Sequence, residues 1–341
     1  MGRWANSEGN GVKIIPGAEA NPLAPLARSP TRPLIIGIDA GGTKTICLLA
    51  RADDGEVIGR GVGGPGNISA VGAERAAQSL KAAIDAAFVA ARLTREESRV
   101  IAAVVGAAGA ARADDLTLVE ALLRSALVAE HYAVTNDAAV ALRAELPTGP
   151  GVLLISGTGS IGYGRSASGA EVRAGGWGYL LDDAGSAYAV GLAGLAAVLR
   201  AHDGRDPSTA LHYPLLAAWE LNAPEEIISR IYQQPPPREA VAALGPLVLA
   251  AAWEGDAVAQ RIVTIAGTAL GELTAATIRQ LGTAPETIVP LVTDGGFLRV
   301  GADLLLPPLL AAVEARGLAV AQRTATIEAA HGALWMAREM F

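Results

Sequence analysis

Residues 34–50 read LIIGIDAGGTKTICLLA, and this stretch decides the fold of the chain. It predicts a buried strand, a glycine-rich turn over Gly41–Lys44 and a returning strand. Glycine lets the backbone of such a turn point its N–H groups at a ligand without a Cβ in the way. Successive N–H groups form a nest that binds anions, phosphate above all. The hairpin is therefore a candidate phosphate site.

A second hairpin of the same kind lies in the other half of the chain, where residues 152–164 read VLLISGTGSIGYG. Its turn contains Gly157, Thr158, Gly159 and Ser160. The hydroxyls of Thr43, Thr158 and Ser160 add donors to the two turns. Two nests that face each other predict one polyphosphate held between two domains.

These hairpins have two other interpretations. Residues 157–162 fit the dinucleotide fingerprint G-x-G-x-x-G, but that fingerprint needs a helix after its last glycine. Residues 163–176 hold too many glycines and serines to sustain a helix. The remaining alternative is a pair of ordinary tight hairpins, because glycine-rich turns are common.

Composition limits the function further. The chain has 341 residues, enough for two domains with substantial cores. Its net charge is −7 and it shows no basic stripe, which argues against nucleic acid as a partner. Cys47 is its one cysteine, so neither an internal disulfide nor a cysteine metal site can form. No apolar run reaches the length of a membrane span and no signal peptide is evident, so we expect a cytoplasmic protein without a membrane partner.

The order of predicted elements indicates a duplication. The first half reads β-β-β-α-β-α-β-α, residues 147–151 (PTGPG) break the pattern, and the theme then restarts. We predict an N-terminal extension at 1–32 and a first domain at 33–146 that includes a C-terminal helix at about 328–341. A second domain spans 147–327 and contains a helical insert at about 207–281. A βββαβα theme used twice around a cleft is a duplicated α/β architecture.

These motifs resemble a known group of proteins. Residues 39–45, 156–160 and 294–296 look like the first phosphate, second phosphate and adenosine motifs of the actin-like, sugar-kinase and heat-shock ATPase superfamily. Residues 66–67, 135–139 and 175–188 resemble N-acetylglucosamine kinases and the wider BadF/BadG/BcrA/BcrD ATPase family. The resemblance runs from about Leu34 to the C-terminus. Where that family commonly has Gly-Asp-Glu-Gly-Ser, this chain has Asp182-Asp183-Ala184-Gly185-Ser186. Asp294 also stands where an apolar or small residue is usual.

The resemblance implies a fold, cofactors and sites. The fold is a duplicated ribonuclease H-like, actin-like ATPase fold with two βββαβα domains around a central cleft. The cofactors are ATP and Mg²⁺. The residues expected to bind nucleotide are Gly41, Gly42, Thr43, Lys44, Gly157, Thr158, Gly159, Ser160, Gly295 and Gly296. Lys44 is equally compatible with a solvated side chain.

Two aspartates are expected to carry the chemistry. Asp39 ends a buried strand beside the first turn and suits Mg²⁺ binding through waters, although it could instead only cap the turn. Asp137 is the candidate general base. Asn136 and Asp137 both stand where the N-cap of the next helix belongs, and we expect Asn136 to be the cap.

The residues expected to bind sugar are Asn67, Asp137, Gly176, Trp177, Gly178 and Asp183. Asn67 could instead only tolerate the turn after Gly66. Asp183 could instead cap the helix predicted from Ala187, and Trp177 could be a packing residue.

The sequence thus predicts an ATP-dependent kinase that phosphorylates the 6-hydroxyl of N-acetylglucosamine, with glucosamine or a muramic sugar as alternative acceptors, and a homodimeric state. Activator ATPases with an iron–sulfur cluster are disfavoured, because two copies of Cys47 supply two of the four thiolates that a cluster ordinarily takes. A non-catalytic sugar sensor is disfavoured because Asp39, Asp137 and both phosphate motifs are present.

Overall fold

The structure, a computed structural model, describes residues 13–16 (as a strand), 32–110, 112–284 and 286–341. The chain divides into two compact units. Unit 1 comprises Met1–Gly149 and Thr326–Phe341, and unit 2 comprises Pro150–Ala325. No single helix among the described residues has both the length and the apolar character to cross a membrane. Arg238–Trp253 and Ala257–Gln280 meet that test only as a pair bent by 119°.

Unit 1 is built on a mixed sheet with helices on both faces. Its strands are β1 (Lys13–Pro16), β2 (Leu34–Ala40), β3 (Thr45–Arg51), β4 (Val57–Gly63), β5 (Val100–Ala107) and β6 (His131–Asn136), in the order β1-β6-β5-β2-β3-β4. Its helices are α1 (Ile68–Ala91), α2 (Ala113–Ala126), α3 (Asp137–Glu145) and α12 (Ala329–Arg338). Strands β2, β5 and β6 run parallel, so their carboxyl ends share one edge of the sheet.

The central strand β2 is buried on both faces, which explains its continuous apolar run. Ile36 and Ile38 pack in the core beneath α1 and α2, whereas Ile35 packs in the core beneath α12. Gly61 of β4 lets α1 approach closely, because an ideal Cβ there would be 2.0 Å from the carbonyl oxygen of Ala83.

Unit 2 repeats the strand arrangement. Its strands are β7 (Gly151–Ser156), β8 (Ser160–Arg165), β9 (Glu171–Gly175), β10 (Ile288–Asp294) and β11 (Ala319–Thr324), in the order β11-β10-β7-β8-β9. Both units thus have an antiparallel three-stranded meander whose first strand pairs in parallel with a later strand. The predicted duplicated α/β fold is confirmed.

Eight helices belong to unit 2 among the described residues. They are α4 (Ala187–His202), α5 (His212–Ala218), α6 (Glu226–Tyr232), α7 (Arg238–Ala242), α8 (Gly245–Trp253), α9 (Ala257–Gln280), α10 (Gly296–Val300) and α11 (Ala302–Glu314). Helices α5 to α9 fill the predicted insert. Their apolar faces form one core with Val152, Leu154 and Leu291 of the sheet.

Two strands differ from the sequence-based expectation. Within residues 1–32, which we expected outside the fold, Lys13–Pro16 pairs antiparallel with β6. The structure of the rest of that segment up to residue 31 lies outside the described residues. Strand β11 was not predicted, because most of its side chains are exposed or half-buried and show no apolar pattern.

Candidate functional site

The first glycine turn presents its backbone to solvent at the carboxyl end of β2. Gly41 N–H donates to the carbonyl of Lys44 at 3.0 Å and closes the turn, while Gly42, Thr43 and Lys44 are exposed. An ideal Cβ on Gly42 would meet no atom within 4 Å, so space lies beside this backbone. The turn has the open form that a phosphate nest requires.

Asp39 lies one residue from the end of β2 and is half-buried. It pairs in register with Gly106 of β5, and Gly106 pairs with Thr135 of β6. Asp137 follows β6 directly, so the strand ends that carry Asp39 and Asp137 are roughly 10 Å apart, two strand spacings. The sheet therefore brings both predicted chemical groups to one edge of unit 1.

Asn67 follows Gly66, which forms a hydrogen bond with the first turn. Gly66 N–H donates to the carbonyl of Gly41 at 2.9 Å. The Asn67 side-chain oxygen caps α1 by accepting from Ser69 N–H and Ala70 N–H, both at 3.1 Å. Its φ of −69° is ordinary, and the role that the structure shows for Asn67 is that of the N-cap. The oxygen is engaged by the helix, and what Asn67 can offer a sugar is its amide N–H donors.

Asn136 and Asp137 have different roles at the start of α3, although the sequence allowed either to be the N-cap. Asn136 caps α3, because its side-chain oxygen accepts from Ala139 N–H at 2.8 Å. Asp137 is the first residue of the helix, and its Oδ1 accepts from Ala138 N–H at 3.0 Å. Burial raises the pKa of Asp137, against the lowering effect of that hydrogen bond. A carboxylate with a raised pKa, at the same sheet edge as the phosphate turn, is suited to accept a proton from an acceptor hydroxyl.

In unit 2 the second turn and the adenosine-like motif lie side by side. Strands β7 and β10 pair in parallel, with Asp294 opposite Ile155. Gly157 N–H donates to the carbonyl of Gly159 at 2.9 Å. Gly295 has φ +101°, and an ideal Cβ there would be 2.2 Å from the carbonyl oxygen of Ser156, so a side chain cannot fit. The two predicted nucleotide motifs therefore share one edge of the unit 2 sheet.

Asp294 has a structural role that the sequence did not show. Its Oδ1 accepts from Gly295 N–H and from the Arg299 guanidinium, both at 2.7 Å. The carboxylate thereby stabilises the turn between β10 and α10.

Ser160 differs from its expected role. Its hydroxyl donates to the carbonyl of Ala184 at 2.9 Å, and its backbone N–H donates to the carboxylate of Asp183. Both donors expected to bind phosphate are thus engaged inside unit 2. Ser160 instead connects the second turn to Asp183.

Asp183 is buried, with 4% of its surface exposed, and has φ +58°. It does not cap α4, because Ser186 does so by accepting from Ala189 N–H at 3.2 Å. Burial raises the pKa of Asp183, and hydrogen bonds from the backbone N–H groups of Ser160 and Gly178, with the positive charge of Arg238, oppose that shift. A carboxylate held in this way can accept hydrogen bonds from sugar hydroxyls.

The segment after β9 is a loop with three left-handed glycines, Gly175, Gly176 and Gly178, at φ +67°, +67° and +96°. Trp177 is 65% exposed, so it does not pack in the hydrophobic core. The guanidinium of Arg173 lies over the Trp177 ring at 4.5 Å from its centroid. Sequence reasoning missed Arg173 and Arg238, because neither belongs to a motif.

The opposite edge of the unit 1 sheet holds a cavity of about 1150 Å³, lined by residues from 95–100 and 124–132. Its arginines are already paired, Arg95 with Asp85, Arg99 with Glu130, and Arg124 with Glu120. The predicted motifs lie at the carboxyl ends of the strands instead, so we do not place the nucleotide in this cavity.

Metal binding by side chains alone is not supported within the described ranges, where no group of three or more His, Cys, Asp or Glu residues could hold an ion. A site with one carboxylate fits Mg²⁺, which keeps several waters and takes its other ligands from phosphates. Cys47 is fully buried, and this burial raises its pKa to about 12. It is therefore unsuited to hold a cluster as a thiolate.

Comparisons with known proteins agree with the sequence motifs. Residues 36–337 match the sequence profile of the BadF/BadG/BcrA/BcrD ATPase family. The N-acetylmuramic acid/N-acetylglucosamine kinase of Clostridium acetobutylicum is 33% identical over 264 residues, covering 77% of this chain and 85% of that protein. The N-acetyl-D-glucosamine kinase of Dictyostelium discoideum is 33% identical over 274 residues, covering 78% of this chain and 86% of that protein.

Solved structures show the same fold. A proposed N-acetylglucosamine kinase from Chromobacterium violaceum aligns with a TM-score of 0.70 and 25% identity, over 89% of this chain and 99% of that chain. One from Porphyromonas gingivalis aligns with a TM-score of 0.64 and 19% identity, over 90% and 98% of the two chains, and supports the fold alone. With two glycine turns in repeated sheets and a profile match over residues 36–337, the chain belongs to the BadF/BadG/BcrA/BcrD ATPase family.

Proposed function

We propose that this protein is an ATP-dependent amino-sugar kinase that transfers the γ-phosphate to the 6-hydroxyl of N-acetylglucosamine or a close relative. One observation carries the proposal furthest. Asp137 is free of the capping role, has a raised pKa and lies at the same sheet edge as the first phosphate turn. The names of the two similar kinases, from Clostridium and Dictyostelium, support the choice of acceptor.

The chain's own groups suit phosphoryl transfer, which depends mainly on positioning and charge neutralisation. In unit 1 the turn Gly41–Lys44 offers backbone N–H groups, the Thr43 hydroxyl and the Lys44 ammonium. In unit 2 the turn at Gly157–Gly159, with Thr158, offers a second nest, and Gly295 and Gly296 adjoin it. ATP supplies the transferred phosphoryl group and Mg²⁺ neutralises its charge when they are bound.

Asp39 would hold Mg²⁺ through water, because it is the carboxylate beside the first turn. Asp137 would accept the proton of the acceptor hydroxyl. In unit 2, Asp183 would orient the sugar through hydrogen bonds to its hydroxyls, with Trp177 and the backbone of Gly176 and Gly178 in the adjoining loop. In unit 1, the amide of Asn67 would donate to a sugar hydroxyl. The homodimeric state and cytoplasmic location stay predictions.

The test is a coupled ATP-consumption assay over N-acetylglucosamine, glucosamine, N-acetylmannosamine, N-acetylmuramic acid and glucose. Phosphorus NMR of the product identifies the hydroxyl that is phosphorylated. We expect N-acetylglucosamine to give the 6-phosphate. An enzyme that consumes ATP at the same rate with and without every sugar contradicts the proposal and favours the activator class.

A further inference from the structure

Arg173, on strand β9, stacks on Trp177, one of the residues proposed to bind sugar. Its guanidinium carbon lies 4.5 Å from the centroid of the Trp177 ring, and this contact holds it. Among the described residues Arg173 forms no ion pair, whereas Arg124, which also stacks on an aromatic ring, is paired with Glu120. Trp177 is exposed, so the stacked pair lies at the surface of unit 2.

The loop after β9 connects the stacked pair of Arg173 and Trp177 to Asp183. Arg173 lies two residues before the end of β9, and left-handed Gly175 and Gly176 reverse the chain so that Trp177 turns back over it. The next residue, Gly178, donates its backbone N–H to the Asp183 carboxylate. The loop after β9 therefore contacts both groups, Arg173 through Trp177 and the Asp183 carboxylate through Gly178.

A guanidinium stacked on a ring keeps its N–H edge available, and that edge matches a carboxylate with two parallel hydrogen bonds. We infer that Arg173, positioned by Trp177, binds a carboxylate-bearing substituent of the sugar, so that the enzyme accepts acidic amino sugars such as N-acetylmuramic acid. This inference rests on the proposed amino-sugar kinase activity. It assigns Arg173 a role in selecting the acceptor and none in the transfer of phosphate.

The experiment compares kcat/KM for N-acetylmuramic acid with kcat/KM for N-acetylglucosamine in the wild type and in Arg173→Gln. We expect the ratio of the two values to fall by about 10–100-fold in the variant, since a hydrogen bond to a charged group is lost, and the change to lie in KM rather than kcat. Arg173→Lys, which keeps the charge without the planar fork, is expected to give an intermediate ratio.

Two controls separate charge recognition from packing. The methyl ester of N-acetylmuramic acid lacks the charge, so the wild type and Arg173→Gln are expected to differ by less than about twofold in KM for it. Arg230 also lies over a tryptophan in unit 2, at 5.9 Å from the Trp219 ring, but outside this loop. Arg230→Gln is therefore expected to leave the ratio unchanged.

The outcomes are distinct. A shift in the ratio that disappears with the ester supports the inference. An equal loss of kcat/KM for both sugars, or an equal shift with the ester, overturns it in favour of a packing role. A wild-type enzyme that phosphorylates N-acetylglucosamine but neither binds nor phosphorylates N-acetylmuramic acid also overturns it, while the proposed function stands. Failure to bind or phosphorylate either sugar overturns both.

Discussion

The carboxylate of Asp183 lies directly against the backbone of Gly159, so closely that an ideal Cβ at Gly159 would be 2.6 Å from Oδ2. Gly159 belongs to the second phosphate turn, and Asp183 is a proposed sugar ligand. Two sites that appear separate in the sequence are thus in contact. We therefore expect a change in the shape of the turn to move the carboxylate, which also accepts a hydrogen bond from Ser160 N–H.

Gly159→Ala is expected to displace Asp183 and to lower the unfolding free energy by about 1–3 kcal/mol, the usual cost of overpacking. The KM for sugar is expected to rise as well. Gly157→Ala in the same turn is the control, since the nearest atom to its Cβ would be Gly296 N at 3.9 Å. Denaturant unfolding of both variants checks this, and equal midpoints would contradict the contact.

Asp137→Asn is expected to lower turnover by about 10²–10⁴-fold, because the amide cannot accept the proton. It is also expected to raise stability at neutral pH. Burial raises the pKa of Asp137, so its contribution to stability is complete below the unfolded pKa and is lost as the pH rises through the folded pKa. The asparagine side chain of the variant stays neutral at every pH between these two pKa values.

Thermal midpoints and turnover of Asp137→Asn at neutral and acidic pH check both statements. The difference in midpoint is expected to shrink as the pH falls, because the wild-type carboxyl is then protonated too. Asn136→Ala is the contrasting variant and is expected to lose about 0.5–2 kcal/mol through the missing cap. Near-normal turnover in Asp137→Asn would show that the carboxylate is not the base.

The pH dependence of catalysis offers an independent measurement. If Asp137 is the base, kcat/KM for the sugar falls on the acid side with a midpoint above the ordinary aspartate pKa of about 3.9. The residual activity of Asp137→Asn is expected to lack this acid limb. An acid limb that persists unchanged in the variant would show that another group titrates there.

Asp39→Asn is expected to raise the Mg²⁺ concentration needed for half-maximal turnover by about 10–100-fold, the usual effect of removing a partner of a metal's bound waters. Excess chelator is expected to abolish turnover of the wild type. Asp53→Asn, which removes an exposed carboxylate, serves as the control. Turnover that persists in chelator would remove the metal role.

Thr43→Val and Thr158→Val are each expected to weaken ATP binding by about 1–3 kcal/mol through a lost hydrogen bond to a charged group. Ser160→Ala is expected to change stability rather than affinity, because its hydroxyl donates to the carbonyl of Ala184. Calorimetric titration with a non-hydrolysable ATP analogue measures all three variants. Unchanged affinity in both threonine variants would contradict the two phosphate turns.

Local patterns were sufficient for much of the fold. The two strand–turn–strand segments, β2 with β3 and β7 with β8, were predictable because a continuous apolar run and a glycine turn are both encoded within about a dozen residues. The first helix of the predicted β-β-β-α order is α1, and Gly72, at φ +78°, interrupts it near its start. The capping role of Asn136 was predictable for the same reason, since a cap is set by its own helix.

The sequence by itself therefore determined the repeated α/β topology and the family, and it nominated Asp39, Asp137 and both turns. Tertiary structure alone decided which side chains meet. Strand β11 forms only because β10 offers an edge, and the contacts of Asp183 with Gly159 and of Arg173 with Trp177 depend on chain reversals at left-handed residues. These contacts depend on the path of the folded backbone and not on the spacing of residues along the sequence. No periodic pattern in the sequence therefore predicts them.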